Sequence, residues 1–323
     1  MPDPLERRHL GSTAVEVTRL GLGCAPLGNL YDAISDADAA SAVDAAWDHG
    51  LRLFDTAPLY GHGLSELRLG AGLAGRDRSG MTVATKVGRL LVPDDPSRPA
   101  DTIFADVPPV HPEFDFSADG ALRSLEASLE RLQLDRVDVL HVHDPDDHLD
   151  EALAGAFPAL RRLRDEGVVG AIGAGMNQSE ALVRIVREAD VDCVLLAGRY
   201  TLLDHSGADE LLPLCADRNV SVIAAGVFNS GLLADPDAPN ATYDYAAAPP
   251  ALVQRARELV RVCADHDTPL RAAALQFPLR HPAVTCVIVG ARTKSELDDN
   301  VALFRREIPE DLWSVLGEEL PEH

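Results

Sequence analysis

Apolar and polar positions follow two rhythms along this chain. Short runs that are apolar at nearly every position recur at TRLGLG (18–23), LRLFD (51–55), MTVATK (81–86), VDVLHVH (137–143), GAIGAG (170–175), DCVLLAG (192–198), VSVIAAG (220–226) and VTCVIVG (284–290). Between them, apolar residues return every three to four positions, the spacing of a helix with one buried face. These stretches cover 36–50, 63–74, 118–132, 150–166, 179–189, 208–218, 250–267 and 294–304. Ser35-Asp36 and Ser179-Glu180 offer capping chemistry at two of the helix starts. Strands that do not alternate belong to a parallel sheet covered on both faces. Eight of them, each followed by a helix within 323 residues, predict an α/β fold: a (β/α)8 TIM barrel forming a single domain over 1–323. A doubly wound sheet competes with it, but needs a Gly-rich turn running into a helix after the first strand. GLGCAPLGN does not read on in that way.

The N-terminal RRHLGSTAVEVTRLG has the pattern of a β-hairpin turning at Gly11-Ser12, placed to cap the N-terminal end of the barrel. Residues 88–117 and 234–250 have no period. They read as long loops after the third and seventh strands, over the C-terminal face where barrel enzymes carry their chemistry.

Composition narrows the partners. Lys and Arg total 29 against 52 Asp and Glu, a net charge of −23. Such a surface repels nucleic acid and anionic membranes, so neither is expected as a partner. No apolar stretch approaches the roughly 20 residues of a membrane span, and the first thirty residues hold no basic segment followed by a long apolar run. Five scattered cysteines without a C-x-x-C pair read as a reduced, cytoplasmic protein.

Candidate chemistry sits where strands meet loops. Asp55, Lys86 and His143 close three of the apolar runs, and Tyr60 follows Asp55 by five residues. A phenol titrates near 10, and an ammonium beside it stabilises its anion. That is the acid–base group a hydride-transfer enzyme needs at a hydroxyl or carbonyl oxygen. The cluster His141, His143, Asp144, Asp146, Asp147 and His148 invites a metal reading, yet its spacing fits no closed structural site, and no metal is expected. Asp146, Asp147 and His148 read instead as lining a polar mouth or facing water.

FDTAPLYGHGLSE, ATKVG, VHDP and IVGARTKSELDDN resemble the aldo-keto reductase family over nearly the whole chain. APLGNLY, VHDPDDH, GAGMNQ, LLAGRYTLLD and GVFNSGLL are similar to its branch of D-threo-aldose (L-fucose) 1-dehydrogenases and pyridoxal 4-dehydrogenases. The resemblance implies an NAD(P)-dependent oxidoreductase that takes C1 of a small-molecule aldose, such as L-fucose or D-arabinose, to the lactone. Pyridoxal oxidation to 4-pyridoxolactone and a non-catalytic nucleotide-binding barrel subunit are the alternatives. An aromatic content of only 5% tilts the reading toward sugar, and the intact tetrad argues for catalysis.

By the same resemblance Tyr60 donates or accepts the proton, Lys86 and Asp55 form an ion pair that lowers its pKa, and His143 orients the substrate oxygen. The family's Ser-Asn pair for the nicotinamide amide reads Gly175-Met176 here, which leaves Asn177 to take over. The stacking aromatic reads Ala225, which leaves Phe228 or Tyr200. Gly226, Phe228, Asn229, Ser230 and Leu232 are expected along the pyrophosphate. Gly290, Arg292, Glu296, Asp299 and Asn300 are expected to complete the cofactor site, the last two facing the adenine. Glu296 stands where NADP-dependent relatives hold an arginine. A carboxylate accepts hydrogen bonds from ribose hydroxyls and repels a 2′-phosphate, so NAD is expected over NADP, with Arg292 and Lys294 nearby as an offset.

Overall fold

The computed structural model describes residues 2–94 and 102–318. The chain opens with the expected hairpin, β1 (Arg7–His9) antiparallel to β2 (Glu16–Thr18), followed by β3 (Leu20–Gly23), α1 (Asp36–Asp48), β4 (Leu53–Asp55), α2 (Leu64–Leu73) and β5 (Thr82–Val87). A second hairpin, β6 (Arg89–Pro93) with β7 (Val110–Phe114), precedes α3 (Ala118–Leu132) and β8 (Val139–His143). Then come α4 (Leu149–Ala154), α5 (Ala156–Asp165), β9 (Ala171–Met176), α6 (Ser179–Glu188), β10 (Cys193–Ala197), α7 (Leu211–Arg218) and β11 (Ser221–Ala225). A small hairpin, β12 (Thr242–Tyr243) with β13 (Ala246–Ala247), leads to α8 (Pro250–Asp265) and α9 (Leu270–Gln276). β14 (Val284–Gly290), α10 (Lys294–Phe304) and α11 (Glu310–Glu318) complete the order.

Strands β3, β4, β5, β8, β9, β10, β11 and β14 close into a parallel barrel in that spatial order. All eight coincide with the apolar runs, because residues between barrel and helices are buried on one face while the alternate residues fill the lumen. The first hairpin plugs the N-terminal end. Leu10 and Val17 join Leu53, Val139, Cys193 and Cys286 in the buried interior cluster, and the Gly11 amide donates to Ser221 Oγ at 2.8 Å. Asp138 and Asp192 accept from the Val83 and Ile172 amides at 2.7 and 2.9 Å, satisfying strand starts at that end.

Four expectations change. The segments without a period are not loops throughout, since each contains a hairpin. β6–β7 carries Pro93 and Pro112, which depress a strand signal and suit a two-stranded edge ribbon. β12–β13 turns through Asp244 and Tyr245 at φ 51° and 64°, without the Asn-Gly or Asp-Gly that would announce such a turn. Part of the first segment, 95–101, lies outside the described residues. The helix expected over 150–166 is split at Gly155. Ser35 caps α1, its Oγ accepting from the Asp38 amide, but Ser179 is already the first residue of α6 and caps nothing.

Candidate active site

The C-terminal rim is half chemistry and half open space. The paired registers Gly23↔Asp55, His143↔Gly175 and Gly290↔Gly23 put these residues in one layer at the strand ends. Asp55, Lys86 and His143 crowd one side, while Gly23, Gly175, Ala197, Ala225 and Gly290 leave room on the other. A β-carbon at Gly175 would lie 3.2 Å from Lys86 Cε, so a larger residue there needs the lysine side chain to yield by a few tenths of an ångström.

Lys86 is almost fully buried and donates to Asp55 Oδ1 at 2.7 Å and to the Thr56 carbonyl at 2.8 Å. Tyr60 stands over this pair, with Lys86 Nζ 4.7 Å from its ring centroid and the His143 ring edge-on at 5.7 Å. Its loop is pinned by close backbone contact. Gly61, at φ 62°, packs on Gly28 so tightly that a β-carbon would meet the Gly28 carbonyl at 2.3 Å. Ser65 Oγ completes the anchor by donating to the Cys24 carbonyl at 2.7 Å. The four residues Asp55, Tyr60, Lys86 and His143 are therefore brought together at the rim.

Around them lies a cleft of about 450 Å³. Its wall includes Asp55, Tyr60, Asn177, Gly226, Phe228, Asn229, Ser230, Gly290, Arg292 and Glu296. Three expected contacts are not on it. Leu232 is fully buried in a second apolar cluster built from α8, α9 and α11. Asp299 pairs with Arg271, and Asn300 is buried between Arg271 and the Gly290 carbonyl, where it braces the end of β14. Tyr200 also turns away, packing on Phe277 at 5.0 Å between centroids, which leaves Phe228 as the expected aromatic that reaches the cleft.

Residues 19–318 match the Aldo/keto reductase family. The chain belongs to the aldo-keto reductase family. It is 46% identical over 313 residues to the D-threo-aldose 1-dehydrogenase of a Pseudomonas species, with 95% of each chain covered. It is 40% identical over 333 residues to the pyridoxal 4-dehydrogenase of Microbacterium luteolum, with 97% of each covered. Among solved structures, the aldo-keto reductase of Bacillus halodurans in its holo form superposes with a TM-score of 0.76 at 25% identity, covering 98% of this chain and 97% of that one. The protein is thus an oxidoreductase of a family that uses nicotinamide cofactors and acts on small molecules.

Electrostatics in this reductase correct one expectation. Burial, and then the Asp55 carboxylate, hold the Tyr60 phenol well above its usual value rather than lowering it. Lys86 spends its charge on Asp55, so the pair presents little net positive field, and Arg89 is the cation that opposes the rise. Burial and the neighbouring cations Lys86 and Arg89 keep His143 well below the usual imidazole range, hence neutral at neutral pH. His141, one layer down in the barrel, is pushed down to about 3 by burial. No group of three or more His, Cys, Asp or Glu side chains among the described residues has metal-holding geometry.

The cleft's lining fits a dinucleotide. Ala25, Pro26, Leu195, Ala197 and Ile288 offer apolar walls for flat rings. The loop Gly226–Gly231 is small and tightly wound, with Asn229 and Ser230 in left-handed conformation, and at Gly231 a β-carbon would meet nothing within 4 Å. Asn229 Oδ1 is buried with no hydrogen-bond partner among the described residues, an acceptor waiting for a donor.

Several wall residues were missed by sequence reasoning. The Tyr31 phenol reaches Ser230 and Thr242 across the cleft. Asp244 and Tyr245, on the β12–β13 turn, line both the cleft and a second, polar chamber of about 360 Å³ with Arg89, Phe114, Asp144, Asp146, Asp147, His148 and Arg199. Tyrosines were a usable signal: three of the chain's five, Tyr31, Tyr60 and Tyr245, lie on the cleft wall.

Proposed function

We propose that this reductase is an NAD-dependent dehydrogenase that oxidises C1 of an aldose, such as L-fucose or D-arabinose, to the lactone. The supporting observation is the convergence of Asp55, Lys86, Tyr60 and His143 beside both a largely apolar cleft and a chamber rich in hydrogen-bonding groups. A bound nicotinamide supplies the acceptor for the hydride leaving C1 and, in its oxidised form, a positive charge at the site. Tyr60 takes the proton of the C1 hydroxyl as that C–O bond becomes a carbonyl. Neutral His143 donates a hydrogen bond to the same oxygen and fixes its direction. Lys86 offsets the Asp55 charge that opposes the phenolate, and packs 4.7 Å from the Tyr60 ring centroid, which holds the ring in place.

The Arg292 guanidinium is engaged by Glu296, with Nε 3.1 Å from Oε1, and by Asp32 at 3.3 Å. Its charge is matched by carboxylates, which favours ribose hydroxyls over a 2′-phosphate and so NAD over NADP. Pyridoxal oxidation is the second reading, supported by the Phe114 and Tyr245 rings on the chamber wall, which suit a flat aromatic substrate. The four chamber carboxylates favour a sugar.

The test is absorbance at the reduced-nicotinamide band, offering L-fucose, D-arabinose and pyridoxal with NAD and, separately, NADP. NAD reduction by the two sugars is the expected result. Reduction by pyridoxal alone would replace the sugar reading with the second one.

A further inference from the structure

Two arginines on the wall of the polar chamber are each committed to a carboxylate of the same wall. Arg89 donates to Asp144 Oδ2 at 2.8 Å, and Arg199 donates to Asp244 Oδ2 at 2.9 Å. The four residues come from separate segments: the first residue of β6, the turn after β8, the loop after β10 and the β12–β13 turn. Asp144 and Asp244 both hold left-handed backbone, at φ 44° and 51°, an unfavoured conformation that their surroundings maintain. The β12–β13 turn is tied further to the cofactor loop, Thr242 Oγ1 donating to the Ser230 carbonyl at 2.6 Å.

The clamps position acceptors without leaving free positive charge. Asp146 and Asp147 add two more carboxylates, so four face two guanidiniums around the chamber. An ionised carboxylate only accepts hydrogen bonds, and each clamped one keeps lone pairs to spare. Arg89 Nε is buried with no acceptor among the described residues. A hydroxyl satisfies both demands, donating to a carboxylate and accepting from a guanidinium. A phosphate or carboxylate substituent cannot donate when ionised, and it meets a net negative wall on a chain of charge −23. Phe114 and Tyr245, 50% and 48% exposed, add ring faces for the C–H side of a sugar.

We propose that Asp144 and Asp244, clamped by Arg89 and Arg199, are specificity-determining residues that admit uncharged, hydroxyl-rich substrates and turn away their phosphorylated or acidic counterparts. This rests on the dehydrogenase reading above.

The experiment compares kcat/KM within pairs that differ in one charged group remote from C1: L-fucose against L-galacturonate, and L-galactose against L-galactose 6-phosphate. It uses the wild type, Asp144→Asn and Asp244→Asn. The wild type is expected to favour the neutral member by at least about 100-fold at low salt, as like charges across an interface cost several kcal/mol. Each variant should raise KM for the neutral sugar about ten-fold, the loss of one charge-assisted hydrogen bond, with kcat within about three-fold in Asp244→Asn. Asp144 Oδ2 lies 3.5 Å from His143 Nε2, so its variant is read on the neutral-to-anionic ratio. Each variant should narrow that ratio. Because Asp144 lines the chamber and not the cofactor cleft, dinucleotide Kd should stay unchanged in Asp144→Asn, whereas a merely structural role would move it. Equal handling of both members by the wild type, or ratios that neither variant alters, would overturn the proposal while leaving the sugar reading intact. Turnover of pyridoxal alone in the reduced-nicotinamide assay would instead sink the sugar reading and the proposal with it. Silence toward all four compounds overturns both.

Discussion

At the floor of the barrel, Leu10, Val17, Leu53, Val139, Cys193 and Cys286 pack into a buried apolar layer, and nearby polar groups such as Ser221 Oγ, Asp138 and Asp192 have partners. At the rim of the same strands, Asp55 Oδ2, His143 Nδ1 and Asn229 Oδ1 are buried without a partner among the described residues. A buried polar atom left unsatisfied costs about 1–3 kcal/mol, so the rim is held in place at the expense of stability that the floor supplies. Burial alone does not separate the two ends. Unsatisfied polarity separates them only in part, since Arg78 Nε at the floor and both ring nitrogens of His141, a layer below the rim, also lack partners among the described residues. What marks the rim is that Asp55 and Asn229, which carry such atoms, line the cleft.

Breaking each end separately tests that division. Tyr60→Phe removes the proton-handling oxygen and should lower kcat by about 10²–10⁴-fold, with the melting temperature and dinucleotide affinity nearly unchanged. A large loss of stability in that variant would erase the distinction. Leu53→Ala opens a cavity in the floor and should lower the unfolding free energy by about 2–5 kcal/mol in urea titration, leaving kcat per folded molecule unchanged. Asp55→Asn touches both ends of the argument, because it strands the buried Lys86 ammonium. Calorimetry should show reduced stability, and turnover should fall with it. The smallest effect is expected at Glu296→Ala, which should shift the NAD-to-NADP ratio of kcat/KM by about ten-fold toward NADP, as one charged contact is worth roughly 1.5–3 kcal/mol.

The floor was legible in the sequence and the rim only partly so, for reasons visible in particular residues. A strand buried on both faces must be apolar throughout, so all eight barrel strands announce themselves. The tetrad is legible because Asp55, Lys86 and His143 interrupt those runs at their ends. The mouth is different. β12–β13 is two residues per strand and turns through Asp244-Tyr245, so it has neither a period nor a turn signature. The Arg89–Asp144 and Arg199–Asp244 clamps join positions 55 and 45 residues apart, which no local pattern encodes. Leu232 and Asn300 fall inside motifs that suggested cofactor contact, yet they support the cleft from behind: one fills the second core and the other holds the Gly290 carbonyl. α9 and α11 were not anticipated. α9 is short and buried at nearly every position, and so lacks the amphipathic period by which helices are read.

The account turns on Tyr60 being the group that titrates during oxidation. Oxidation needs the phenolate, and burial beside Asp55 raises the pKa, so the ionised fraction grows toward alkaline pH. Sugar oxidation should therefore climb with pH on the alkaline side of neutrality, whereas carbonyl reduction, which needs the protonated phenol, should stay level there and fall only above the same pKa. The decisive measurement is the pH profile of kcat for sugar oxidation in the wild type and in Tyr60→Phe, with cofactor saturating. A rising limb in the wild type that disappears from the residual rate of the variant is the predicted result. The same limb persisting in Tyr60→Phe would assign the proton to another group and contradict the account.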